Sequence, residues 1–109
     1  MRKGIVRVAG VPAGRIEETP GGFRFRYDPD YLARNDAVAV SLTLPLQGEP
    51  FDSPHLFAFF EGLLSEGSLR SLQSQQYKID EEDSFGLLLR TASADVIGSV
   101  TVEPEEESS

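Results

Sequence analysis

Phe23-Arg24-Phe25-Arg26-Tyr27-Asp28-Pro29-Asp30-Tyr31-Leu32 is the stretch on which the fold turns. Its first five residues alternate without a break, three aromatics against two arginines. That is the period of a strand with one dry face and one wet face, and such a strand needs antiparallel neighbours. Asp28-Pro29 then stops it. Proline has no N–H for a ladder, and its fixed φ suits the first turn of a helix, so residues 28–32 read as a turn or a single helical turn begun at Asp28.

Toward the N-terminus, Gly4 to Ala9 forms a short strand through Ile5, Val6 and Val8. Gly10-Val11-Pro12-Ala13-Gly14 carries turn signals, Arg15-Ile16-Glu17 a brief second strand, and Thr19-Pro20-Gly21-Gly22 a strong breaker. Toward the C-terminus, Ala37 to Leu46 reads as a further strand. Val38, Val40, Leu42, Leu44 and Leu46 share one face of it, and Pro45 ends it or places it at an edge.

The period then changes. Ser53-Pro54 marks a helix start, and Leu56, Phe57, Phe59, Phe60, Leu63 and Leu64 fall on a wide helical face. Ser65-Glu66-Gly67-Ser68 breaks this helix, and Leu69 and Leu72 belong to a second, more polar one running toward Gln76. Asp80 is the expected cap of a third, with Glu81, Glu82 and Asp83 in its first turn, where the helix dipole favours negative charge. Phe85, Leu87, Leu88 and Leu89 form its apolar body. Asp95 to Glu103 returns to alternation as a closing strand. Strands, then helices, then a strand predict an α+β domain, an antiparallel sheet with about three helices packed on one face. Residues 1–103 are expected to form this one domain and residues 104–109 an acidic tail too polar to pack.

Composition narrows the function. The 109 residues carry a formal charge of −8 and are 39% hydrophobic. An acidic surface repels phosphate backbones and anionic lipid, which argues against direct nucleic-acid and membrane-surface binding. With no cysteine, thiolate metal sites and cysteine nucleophiles are ruled out. No apolar run reaches the ~18 residues that span a bilayer, and the N-terminus lacks a secretory apolar segment. A cytoplasmic protein is expected.

Chemistry is hard to place on these residues. His55 is the single histidine, and its apolar neighbours offer neither a metal cage nor a catalytic triad. The glycine-rich places precede strand-like sequence and match no phosphate loop. Asp83-Ser84-Phe85-Gly86 departs by one inserted serine from a kinase metal-binding tripeptide. The carboxylates at Asp28, Asp30 and Glu81–Asp83 lack calcium-loop spacing. No catalytic residue, metal or cofactor is therefore expected.

Three ordered motifs point elsewhere. Phe25-Arg26-Tyr27-Asp28-Pro29-Asp30-Tyr31-Leu32 is followed by Val40-Ser41-Leu42-Thr43-Leu44-Pro45-Leu46, and then by Phe59-Phe60-Glu61-Gly62-Leu63-Leu64-Ser65-Glu66-Gly67-Ser68-Leu69-Arg70. This arrangement resembles the N-terminal subdomain of HipA-type serine/threonine kinase toxins over nearly the whole chain, to the closing Gly98-Ser99-Val100-Thr101-Val102. Two positions depart: the family's Asn stands as Gly62 and its Pro as Ser65. A free-standing subdomain is similar to the HipS family, the small proteins of three-gene HipB–HipS–HipT systems. The acidic tail reads as a natural end for such a protein.

The resemblance implies an antitoxin without catalysis that binds and neutralises a HipT-like kinase toxin, in a larger complex with a HipB-like DNA-binding protein. The aromatic helix and the loop after it are the expected kinase contacts: Phe59, Phe60, Leu63, Leu64, Ser65, Glu66 and Ser68. The rival reading is a non-inhibitory scaffold that links the kinase to the HipB-like repressor. A truncated toxin is the third.

Overall fold

A computed structural model describes residues 1–64, 67–91 and 100–105. Five strands, β1 (Lys3–Val8), β2 (Val11–Thr19), β3 (Gly22–Tyr27), β4 (Phe51–Ser53) and β5 (Val100–Pro104), form one antiparallel sheet in the order β4-β3-β2-β1-β5. Four helices accompany it: α1 (Pro29–Leu32), α2 (Ala58–Glu61), α3 (Gly67–Tyr77) and α4 (Ser84–Thr91). The α+β architecture stands as the sequence predicts.

The alternation of β3 sets the register. Phe25 lies opposite Ile16 on β2 and Phe51 on β4, and Val6 on β1 lies opposite Val102 on β5. These residues line one face and are joined in a single core by Tyr31 of α1, Phe60 of α2 and Phe85, Leu87 and Leu88 of α4. The other face is charged. Arg7 pairs with Glu103 at 2.6 Å, Arg24 with Asp52 at 2.6 Å, and Arg15 with both Asp28 and Glu105 at 2.7 Å. Pairs this open to water are screened and contribute little, so apolar burial on the other face dominates stability.

Several elements differ from the sequence reading. Residues 11–14 are strand, not turn, because the chain reverses within two residues. Ala9 and Gly10 have φ of 51° and 82°, the pair of positive angles that matches a tight hairpin to strand twist. A bulge between Val6 and Arg7 then lets Pro12 sit in β2. Ser53 ends β4 instead of starting a helix, and its Oγ accepts the His55 N–H at 3.2 Å. The expected 56–64 helix shrinks to the single turn of α2. The cap of α4 is Asp83, not Asp80: its Oδ1 accepts the Gly86 N–H at 3.1 Å, while Asp80 closes a local turn onto Glu82.

Ala37–Leu46 is not a strand. Ser41 and Leu44 form one isolated bridge across a tight turn. Val40 and Leu44 are buried, whereas Val38, Leu42 and Leu46 are exposed. The cause lies in the 23–32 stretch. The Tyr27 hydroxyl donates to the Leu44 carbonyl and accepts the Val40 N–H at 2.9 Å. The Tyr31 hydroxyl donates to the Val38 carbonyl at 2.8 Å and accepts the Val38 N–H at 3.1 Å. Ladder groups taken by phenols are not left for a neighbouring strand.

Two sequence expectations concern the chain's end. Residues 95–99 of the closing strand lie outside the described residues. At the expected 103/104 boundary, β5 runs to Pro104, and the Glu105 N–H donates to the Lys3 carbonyl at 2.9 Å.

Candidate functional site

The segment leading into the expected contact residues starts at Phe57, whose extended backbone precedes α2. After it the Phe60 and Glu61 N–H groups both donate to the Phe57 carbonyl, at 2.9 and 3.0 Å, and Leu63 and Leu64 continue with tight i-to-i−3 bonds. A short, tightly wound segment cannot display all its apolar residues on one outer face. Phe60 is fully buried, with its ring 5.7 Å from Phe25, 5.3 Å from Phe59 and 6.2 Å from Phe57. Leu64 is buried as well. Burying such a side chain is worth about 1.5–3 kcal/mol, so Phe60 and Leu64 leave the candidate surface and act as its floor.

Phe59 and Leu63 are half-buried, packed on the core with one side to solvent, and Ser68 is exposed. Ser65 and Glu66 lie outside the described residues. The surface therefore consists of Phe59 and Leu63 before that segment and Ser68 after it.

Sequence reasoning missed the outward apolar face of α3. None of the helix's described side chains is buried, and Leu69 and Leu72 are 53% and 61% exposed. The helix is attached by polar groups instead. Arg70 Nε donates to the Glu81 carbonyl at 3.0 Å and its Nη2 to Ser84 Oγ at 3.1 Å, Ser71 and Ser74 bond to Glu81 and the Ile79 carbonyl, and Arg90 of α4 stacks on Tyr77 at 5.0 Å. With Ser71, Ser74 and Arg70 turned to the protein, α3 has its leucines turned outward. The three-residue spacing of Leu69 and Leu72 was the available signal; it reads equally well as a core-facing stripe.

A second cleft lies beside His55, between β2 and the start of α4, with Glu18, Phe23, Asp83 and Phe85 among its walls. Two of its carboxylates, Glu18 and Asp83, are already engaged. Arg2 Nε and Nη2 donate to Glu18 at 2.8 and 3.0 Å, Nη1 and Nη2 donate to Asp83 at 2.8 Å each, and the guanidinium lies 5.5 Å over the Phe85 ring. Hydrogen bonds from Arg2 hold both carboxyls below the usual carboxylate range, against the opposing effect of burial. Such acids stay ionised and are poor proton donors near neutral pH. Among the described residues no three His, Asp or Glu side chains gather in a metal-binding group, and no helix is long and apolar enough to cross a membrane.

The family model described as the HipA N-terminal domain matches residues 4–103. An uncharacterized protein of Haemophilus influenzae is 34% identical over 107 residues, spanning 98% of this chain and 96% of its own. The putative kinase Y4mE of Sinorhizobium fredii is 31% identical over 91 residues, which are 84% of this chain but 21% of the kinase. A solved structure, the N-terminal domain of HipA toxin, superposes with a TM-score of 0.73 at 31% identity, covering 99% of this chain and 96% of that one.

Proposed function

The chain belongs to the HipA N-terminal domain family, and from that membership we infer that it is an antitoxin that docks on a HipT-like serine/threonine kinase toxin and holds it inactive. The observations that carry this reading are the match of residues 4–103 to the HipA N-terminal domain and the 31% identity of 91 residues to a stretch that is 21% of a putative kinase. A surface that faces catalytic lobes within one chain serves equally well when the domain is a separate subunit.

Exposed apolar groups support docking. Phe59, Leu63, Leu69 and Leu72 flank the 65–66 segment in sequence, and aromatic and aliphatic anchors of this kind dominate interface energetics. Ser65, Glu66 and Ser68 complete the proposed contact, with Phe60 and Leu64 as the packed base beneath it. The setting is cytoplasmic, and a HipB-like DNA-binding protein completes the complex through the kinase.

The test is co-expression with the HipA-type kinase of the same genome, alone and with the HipB-like protein. Rescue of growth by this chain without the third protein is the expected result. Rescue only when the HipB-like protein is present makes the chain a scaffold and overturns inhibition.

A further inference from the structure

No residue from Ala37 to Gly48 carries a charge, in a chain that is 26% charged and has a net charge of −8. Three of the six exposed large hydrophobic residues among those described lie in this segment. Leu42 is 101% exposed at the tip of the Ser41–Leu44 turn, with Val38 and Leu46 exposed on either side. A turn in a free soluble protein gains nothing from a leucine held wholly in water, since a polar residue fits the same turn.

The tip is not loose. Ser41 Oγ accepts the Thr43 N–H at 3.2 Å and lies 3.1 Å from Thr43 Oγ1. Behind it, four hydrogen bonds from the Tyr27 and Tyr31 phenols fix Val38, Val40 and Leu44. A loop ordered before contact loses little conformational entropy on binding, which is how preorganised anchors gain affinity. Charge-free composition matches the core of protein interfaces, where charged residues are depleted.

We propose that this tyrosine-braced loop is a second docking element for the kinase, with Leu42 entering an apolar, uncharged pocket on the catalytic lobes. The proposal rests on the antitoxin reading. Its occupant follows from two observations. The loop cannot complement a charged nucleotide site, and the family's domain is covalently joined to further polypeptide in the putative kinase it matches. The loop is distinct from the 59–68 surface and belongs to another segment of the fold.

The experiment is calorimetric titration of the purified chain into the catalytic lobes of the HipA-type kinase from the same genome, made without an N-terminal subdomain. Wild type is compared with L42D and with P20D, which adds the same charge at an exposed position of the β2–β3 turn. Thermal unfolding serves as the folding control, and neither variant should shift it because both side chains are exposed. Affinity of L42D should fall at least about tenfold with P20D unchanged. The loss should be alike at low and high salt, because an apolar contact is not screened. Y31F, which frees the loop while leaving Leu42 in place, should weaken binding by a smaller factor. Equal affinity of L42D and wild type overturns the loop's role and leaves the antitoxin reading standing; no binding by wild type removes both. Self-association of wild type that L42D abolishes assigns the patch to a second copy of this chain and also overturns the proposal.

Discussion

The Tyr27 hydroxyl joins two parts of the chain that the sheet alone would leave apart. It is buried, donates to the Leu44 carbonyl and accepts from Val40. Replacing Tyr27 by Phe keeps the ring among Phe25, Tyr31 and Phe51 but leaves a buried N–H and a buried C=O unpaired. An orphaned buried group costs about 1–3 kcal/mol, so Y27F should lower the unfolding free energy by that amount, read as a lower urea midpoint with an unchanged slope. Y31F should cost less, because its partner Val38 is exposed. Burial also raises the Tyr27 pKa, partly offset by the Val40 hydrogen bond. A phenol held neutral in the fold stabilises it fully below the ordinary tyrosine pKa of about 10. That contribution is lost as the pH climbs beyond, since the unfolded chain ionises first. Wild type should therefore lose stability in the alkaline range and Y27F should not. Parallel losses in both would assign the effect to another group.

At the scale of elements, α4 shows how a cap and a latch are combined. Asp83 caps the helix through the Gly86 N–H and receives Arg2 from the start of the chain. Gly86 makes room for both, because a Cβ there would lie 2.3 Å from Asp83 Oδ2 and 2.7 Å from Arg2 Nη1. Asp83 and Glu18 both have lowered pKa values. Their stabilisation is complete above the unfolded carboxylate range of about 4 and disappears as the pH falls through their lower folded values. Acid unfolding followed by circular dichroism should thus begin at higher pH in R2A than in wild type; coincident curves would show the latch to be idle.

This latch was not legible in sequence, whereas β3 was. Period-2 alternation at 23–27 has one reading, and Phe85 and Leu87–Leu89 are apolar enough to declare a buried helix. Val38 to Leu46 alternates just as well and is a loop, because a tyrosine hydroxyl 13 residues away takes the Val40 N–H. Strand periodicity records which residues are apolar, not where their backbone groups bond. Phe60 failed as a surface candidate for a related reason: a one-turn helix offers its aromatics no common outer face. Capping at Asp83 instead of Asp80 turned on a partner 81 residues away.

For the whole molecule, the parts differ in how they are held. β1, β2 and β3 pair across the centre of the sheet and supply Val6, Ala13, Ile16, Phe25 and Tyr27 to the core. By contrast, α3 is tied to α4 and the turn before it by hydrogen bonds to exposed groups and one cation–π contact, with no buried side chain among those described. Such bonds contribute about 1 kcal/mol each at most in water, and segments with few buried apolar contacts open well below the global unfolding free energy. Native-state hydrogen exchange should therefore release α3 amides first and those of β1–β3 last. If Leu69 and Leu72 face the kinase in the complex, binding adds the apolar cover that α3 lacks, and its exchange should slow by more than that of the central strands. An α3 that exchanges as slowly as β2 in the free chain contradicts the hierarchy. Unchanged α3 exchange in a complex that does form removes this helix from the interface and leaves docking to the 37–48 and 59–68 segments.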